Sequence, residues 1–129
     1  MARALLIVLG VLLLAGCGGE KVVSPTGEVE GTLPKQEAAN PANGKTVFTG
    51  NGCGSCHTLK DAAASGKVGP DLDEALKDED EQFIKESITD PNAEIADGFQ
   101  PGIMPQSYGS QLTSQQLNDL VAFLKTSTQ

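Results

Sequence analysis

Two cysteines and the only histidine of the chain lie within five residues, in the segment Cys53-Gly-Ser-Cys-His57. A thiol can add across a vinyl group to form a thioether, and a two-residue spacing lets both thiols reach neighbouring vinyl groups of one porphyrin. The histidine that directly follows the second cysteine can then give an imidazole nitrogen to the iron. The segment therefore predicts one covalently bound haem c, attached through Cys53 and Cys56, with His57 as an axial ligand.

Three other uses of the cysteine pair fit the sequence less well. A structural zinc site needs four ligands, but the only further thiol is Cys17, which lies in an unrelated context. A thioredoxin-like redox pair needs a βαβ setting, and no alternating strand pattern flanks the motif. A disulfide between Cys53 and Cys56 would close too small a loop to stabilise the fold much.

Met104 is the candidate ligand for the other side of the iron. It lies between Gly102 and Pro105, and the only other methionine, Met1, belongs to a predicted targeting segment. Two histidine ligands from one chain are excluded, because His57 is the only histidine. A His/Met pair leaves no open position on the iron, and thioether sulfur prefers ferrous iron. This pair of available ligands therefore predicts electron transfer. No catalytic residues are predicted beside the haem.

The first sixteen residues are typical of an export signal. Arg3 precedes an apolar run from Ala4 to Leu14, which is too short for a membrane span of about 20 residues. The four residues LAGC, ending at Cys17, resemble the bacterial lipobox, in which the cysteine is lipidated and becomes the new N-terminus. An ordinary signal peptide or an uncleaved anchor is the alternative. We expect residues 1–16 to be removed, and Cys17 to anchor the exported protein to the outer face of the plasma membrane, or to an outer membrane where one exists.

Residues 17–42 are predicted to form a lipid-anchored flexible linker, because glycine and proline interrupt a polar stretch that has no hydrophobic period. Residues 43–129 then form one domain. Cleavage before Cys17 would leave 113 residues, with 8 basic against 17 acidic side chains. This acidity argues against nucleic-acid binding, which needs basic patches, and it suits a basic partner.

Hydrophobic spacing predicts a small all-α domain of three to five short helices around the haem. Helices are expected at 44–49, within 71–81 and at 79–89, and Asp90-Pro91 ends the third. The proline- and glycine-rich residues 91–112 predict an extended, turn-rich loop. The last helix has the clearest signal: Thr113 and Gln116 suit a capping box, and apolar residues recur at helical spacing from Leu117.

The order of these segments resembles that of the class I monohaem cytochromes c, over about residues 43–127. The matching segments are the cysteine motif, Val68-Gly69-Pro70-Asp71-Leu72, Gly102-Ile103-Met104-Pro105 and the last amphipathic helix. The resemblance implies a class I cytochrome c fold. It also implies that the carbonyl of Pro70 accepts a hydrogen bond from the haem-ligating His57, and that Met104 is the second axial ligand.

The same resemblance implies how the terminal helices meet, with Gly44 and Phe48 of the first packing against Leu120 and Phe123 of the last. The sequence also predicts roles for two residues of the loop at 91–112. Tyr108 should hydrogen-bond a haem propionate or pack on the haem edge, and Asn92 should be a turn residue. The acidic run at 71–81 should be a solvated face, with a docking site for a partner as the alternative.

The stretch from Ser87 to Met104 also resembles the cytochrome domain fused to subunit II of some haem–copper oxidases, although no copper-binding domain accompanies it in this sequence. This resemblance implies redox partners in the respiratory chain, with a haem–copper oxidase as one candidate. The predicted function is that of a monomeric, membrane-tethered electron carrier and not an enzyme. The alternatives are a fixed haem subunit of a dehydrogenase or oxidase complex, or an open-site haem enzyme or gas-binding protein if Met104 is not a ligand.

Overall fold

The computed structural model describes residues 37–129, so the predicted signal segment, Cys17 and most of the predicted linker lie outside the described residues. In chain order the elements are α1 (Pro41–Gly50), β1 (Thr58–Leu59), β2 (Ala64–Ser65), α2 (Leu72–Ala75), α3 (Glu81–Thr89), α4 (Tyr108–Gln111) and α5 (Ser114–Ser127). Short 3-10 turns cover Cys53–Ser55 and Lys60–Ala62. The prediction of three to five short helices is confirmed, and the strands of the described part form one small antiparallel hairpin.

The first and last helices cross in close contact. A Cβ atom at Gly44 would lie 2.0 Å from the carbonyl oxygen of Asp119, so only glycine lets the two backbones approach this closely. One turn further along α1, the ring of Phe48 meets that of Phe123 edge to face, with centroids 5.9 Å apart and an interplanar angle of 66°. Leu120 belongs to the same buried cluster. The packing predicted for the terminal helices is confirmed.

The start of α1 is fixed by hydrogen bonds to side chains. Asn40 accepts a hydrogen bond from the N–H of Ala42 at 2.9 Å, and Pro41 occupies a first-turn position where its missing N–H costs nothing. The buried carboxylate of Asp119, on α5, accepts from the N–H of Asn40 at 2.8 Å and from the side chain of Gln115 at 2.9 Å. The helix therefore begins three residues earlier than predicted and takes in two residues that the prediction left in the linker.

The later helices follow the sequence signals to different degrees. Asp80 caps α3 by accepting from the N–H of Phe83, and the capping box of Thr113 and Gln116 is present at the start of α5. The acidic stretch at 71–81 forms only the four-residue helix α2, which Asp71 caps.

The prediction of a loop over residues 91–112 was wrong for its last part, where α4 forms. No side chain caps this helix, which left no signal in the sequence. It packs instead on the end of α3, where a Cβ atom at Gly109 would lie 3.2 Å from the carbonyl oxygen of Thr89. Residues 91–107 remain without helix or strand and are called the late loop from here on.

Eleven apolar side chains form the core between these helices. They are Phe48, Leu59, Leu72, Leu76, Ile84, Ile88, Leu117, Leu120, Val121, Phe123 and Leu124. Ile84 and Ile88 lie on the buried face of α3. No helix in residues 37–129 combines the length and the apolar character that crossing a membrane requires.

Candidate haem-binding site

The cysteine motif follows directly on the end of α1. Gly52 adopts a left-handed conformation, with φ of 70°, and turns the chain out of the helix. A 3-10 turn then begins at Cys53, whose carbonyl accepts from the N–H groups of Cys56 and His57 at 3.1 and 3.0 Å. These bonds bring both thiols and the imidazole to the same side of a compact turn, where all three line one cavity.

The ring of His57 is held by the segment that follows the hairpin. Its Nδ1 lies 2.9 Å from the carbonyl oxygen of Pro70. A carbonyl can only accept a hydrogen bond, so Nδ1 carries the proton and Nε2 keeps a free lone pair. A Cβ atom at Gly69 would lie 2.6 Å from Cε1 of the ring, so the backbone packs directly on the imidazole. The contact that the resemblance implied between His57 and Pro70 is present.

The cavity beside this turn has a volume of about 470 Å³, within the usual range for a small-molecule site. Core residues on three helices supply apolar walls, among them Leu72, Ile84, Ile88, Leu120 and Leu124. Cys53, Cys56, His57, Pro70 and Met104 also line it. An apolar cavity that holds two thiols, an imidazole and a thioether fits a flat apolar macrocycle with a central iron. The structure therefore brings together every residue that the sequence predicted for the site within residues 37–129.

The late loop carries Met104 to the cavity, where its side chain is half-buried. Oδ1 of Asn92 accepts a hydrogen bond from the N–H of Gly102 at 2.9 Å, so its side chain has a role beyond the turn that was predicted. The dipeptide Pro91-Asn92 signals a turn, but nothing in the sequence says which distant N–H the amide will meet.

Tyr108 forms a hydrogen bond that the sequence did not predict. Its hydroxyl donates to the carbonyl oxygen of Asn51 at 3.4 Å, while its ring lines the cavity. Partial burial, with a smaller contribution from the nearby cysteines, raises the pKa of Tyr108 above its ordinary value. The hydroxyl therefore remains a donor at neutral pH.

A sequence model of the cytochrome c family matches residues 41–128, from the start of α1 to the end of α5. The chain belongs to the cytochrome c family. Among solved structures it is similar to the crystal structure of the c-type cytochrome SorU from Sinorhizobium meliloti. The two are 30% identical, the match covers 68% of this chain and 90% of that chain, and the TM-score is 0.52. A comparison with curated protein sequences gave no match.

Membership of this family confirms two of the predictions. The fold is that of a small class I cytochrome c, and the cofactor is covalently bound haem c. The activity of the cytochrome is haem-based electron transfer. Within residues 37–129, no group of three or more His, Cys, Asp or Glu side chains could hold a metal ion.

The electrostatic environment of the thiols suits their place in the cytochrome. Burial raises the pKa of Cys53, a backbone hydrogen bond partly opposes this rise, and the nearby Cys56 adds to it. Before haem is attached, the Cys53 thiol is therefore protonated at neutral pH. A raised pKa is the opposite of what an activated redox thiol needs, which disfavours the thioredoxin-like alternative.

Proposed function

We propose that the cytochrome is a membrane-tethered electron carrier, which passes one electron between respiratory complexes through a haem c ligated by His57 and Met104. Bound haem supplies an iron that alternates between Fe(II) and Fe(III). Cys53 and Cys56 would hold the haem through thioethers, and lipid on Cys17 would hold the protein at the outer face of the membrane. The observation that carries the proposal is that both thiols, the imidazole and the thioether line one apolar cavity.

The hydrogen bond to Pro70 supports the role of His57. Because this bond favours the tautomer with the proton on Nδ1, the neutral ring offers Nε2 to a metal and needs no change of tautomer. A carbonyl acceptor also makes the imidazole a better electron donor to iron. The close contact of Gly69 with the ring limits its rotation. The tautomer and the ring orientation of His57 are therefore set before haem binds.

The sulfur of Met104 supports a closed coordination site. No second histidine exists in the sequence, and a thioether ligand from Met104 beside the imidazole of His57 would favour ferrous iron and so raise the potential above that of a bis-histidine site. A closed site has no position for a substrate or a gas. These features favour a carrier over an enzyme or a gas-binding protein.

The axial ligands can be tested by comparing the purified holoprotein with a Met104→Ala variant. We expect a sulfur-to-iron charge-transfer band in the ferric wild type and slow, weak carbon monoxide binding in the ferrous wild type. Met104→Ala should lose the band and bind carbon monoxide rapidly. Asp97→Ala is the matched control, because Asp97 is an exposed side chain of the late loop that does not line the cavity. Rapid, tight carbon monoxide binding by the wild type would instead favour the open-site alternative.

The tether is tested separately, because Cys17 lies outside the described residues. We expect the mature protein to begin with a diacylated or triacylated Cys17 and to remain with membranes after a salt wash. Mass spectrometry of the N-terminal peptide checks this directly, and a Cys17→Ser variant should leave the membrane fraction. An unmodified Cys17 in the native protein would refute the anchor. Sizing after detergent extraction would separate a free monomeric carrier from a bound subunit.

The charge of the chain supports a basic redox partner. Its formal net charge is −8, and two glutamates, Glu79 and Glu94, line the cavity that would hold the haem. Opposite charge on a partner would speed encounter, and salt would slow it. A haem–copper oxidase is one candidate, from the resemblance of residues 87–104. Electron transfer to this partner should slow as ionic strength rises.

A further inference from the structure

The segment that carries Met104 has few hydrogen bonds to the rest of the protein. Within the described part of the chain, residues 94–106 make three hydrogen bonds to protein groups. Two of them stay inside the segment. Only the third, from the N–H of Gly102 to Oδ1 of Asn92, reaches outside it. This bond lies two residues before Met104, so it is well placed to fix where the methionine enters the cavity.

Asn92 belongs to a part of the fold that is firmly held. It follows the end of α3 by three residues, Pro91 beside it is buried, and the N–H of Ala93 donates to the carbonyl of Asp90 at 2.9 Å to close a turn. α3 itself packs against α5. The bond of Asn92 to Gly102 therefore connects the loop before Met104 to the helical core.

A second hydrogen bond holds the chain on the other side of Met104. Tyr108 lies four residues after the methionine, and its hydroxyl donates to the carbonyl of Asn51 at 3.4 Å. Asn51 is the C-cap residue of α1 and lies two residues before Cys53. This bond connects the first residue of α4, directly after the late loop, to the segment that attaches the haem. It is the weaker of the two, because its donor–acceptor distance is longer.

We infer that Asn92 and Tyr108 are positioning residues that hold Met104 at the iron from both sides, and that Asn92 has the larger effect. The inference rests on the Met104 ligation proposed above. A loop that leaves the iron for part of the time gives a competing ligand access in proportion to that fraction. Loss of one hydrogen bond changes such an equilibrium roughly fivefold.

The experiment uses the ferric holoprotein and imidazole as the competing ligand. Asn92→Leu keeps the approximate size of the side chain but removes the acceptor. It should bind imidazole roughly fivefold more tightly than the wild type, with a weaker sulfur-to-iron band. The N–H of Gly102 should also exchange faster with solvent. Asn92→Asp keeps an oxygen acceptor and should return all three measurements close to the wild type.

Two further variants complete the comparison. Tyr108→Phe removes one oxygen and should tighten imidazole binding roughly twofold, in keeping with a longer bond. It also provides an independent test should Asn92→Leu fail to incorporate haem. Asn43→Leu is the matched control, since Asn43 is exposed on α1, and it should change neither imidazole binding nor the band.

The possible failures are distinguishable. A wild type without the sulfur-to-iron band would remove Met104 ligation itself, and this inference with it, before any variant is made. If the wild type has the band, unchanged imidazole binding by Asn92→Leu despite faster exchange at Gly102 would overturn the positioning role alone. Equal weakening of the band by Asn92→Leu and Asn92→Asp would also overturn it, because packing and not the acceptor would then matter.

Discussion

The two regions that meet at the haem cavity are held in different ways. The attachment region, residues 51–70, has six backbone hydrogen bonds that close it on itself besides those of the hairpin, together with the bond from His57 to Pro70. It also follows directly on α1, whose backbone touches that of α5. In the late loop, one hydrogen bond ties residues 94–106, which carry Met104, to Asn92 at the start of the loop, just after α3. The attachment region, which carries His57, is therefore part of the rigid fold. The late loop, which carries Met104, is held by fewer hydrogen bonds.

This difference predicts that substitutions in the two regions affect the protein differently. Regions with few hydrogen bonds and few buried contacts open locally at a lower free energy than the fold as a whole. Changes in the attachment region or at the crossing of α1 and α5 should therefore alter global stability. Changes in the late loop should alter access to the iron and leave the global unfolding transition in place.

The largest effect is expected from removing the haem attachment with Cys53→Ala/Cys56→Ala. Without haem the cavity of about 470 Å³ is unfilled. Haem burial of a few hundred Å² at ~25 cal/mol per Å² contributes about 10 kcal/mol, which is comparable with the whole stability of a small domain. We expect a largely unfolded chain, measured as loss of the near-UV circular dichroism signal. Ser55→Ala, which leaves the motif intact, is the control.

A native-like near-UV spectrum in the double-cysteine variant would contradict this prediction. It would mean that the attachment region is rigid without its cofactor. The sparse aromatic content, with four Phe, one Tyr and no Trp, makes this outcome unexpected, because few large side chains are available to form a core alone.

A smaller global effect is expected from Gly44→Ala at the crossing of α1 and α5. The new Cβ atom would lie 2.0 Å from the carbonyl oxygen of Asp119, and backbone atoms cannot rotate away. Overpacking of this kind costs about 3 kcal/mol or more. We expect a lower denaturation midpoint for the holoprotein, followed by far-UV circular dichroism and by haem absorbance together.

The same helix supplies a matched control for this variant. A Cβ atom at Gly50 would meet nothing within 4 Å, so Gly50→Ala should leave stability unchanged or raise it by about 0.5 kcal/mol. Equal destabilisation by the two substitutions would mean that helix propensity, and not the crossing, controls the effect.

The two regions also differ in how far the sequence predicted them. The attachment chemistry lies in five consecutive residues, so its meaning did not depend on the fold. α5 could be predicted equally well, because its capping box and its apolar spacing are local signals. The resemblance supplied Pro70 and the contact of Gly44 with the last helix, which no local pattern gives.

What the sequence did not predict depends on contacts between distant residues. α4 has no side-chain cap and exists against α3. The hairpin of β1 and β2 has only two residues in each strand, too few for an alternating pattern to be visible. Asn92 and Gly102 are ten residues apart across a loop without regular structure. Tertiary packing decides each of these features, and most of them lie in or near the late loop.

The smallest effect, and the sharpest test of the contrast, is expected from Gly98→Ala in the late loop. Gly98 has a φ of +86°, and a Cβ atom there would meet nothing within 4 Å. The substitution therefore adds backbone strain of about 1 kcal/mol without a clash. We expect imidazole to bind the ferric protein roughly fivefold more tightly, with the denaturation midpoint of the holoprotein unchanged. Gly98→Asn should have a smaller effect, because asparagine tolerates this conformation better. If Gly98→Ala lowers the midpoint as Gly44→Ala does, the late loop unfolds together with the core, and the two sides of the iron are one cooperative unit.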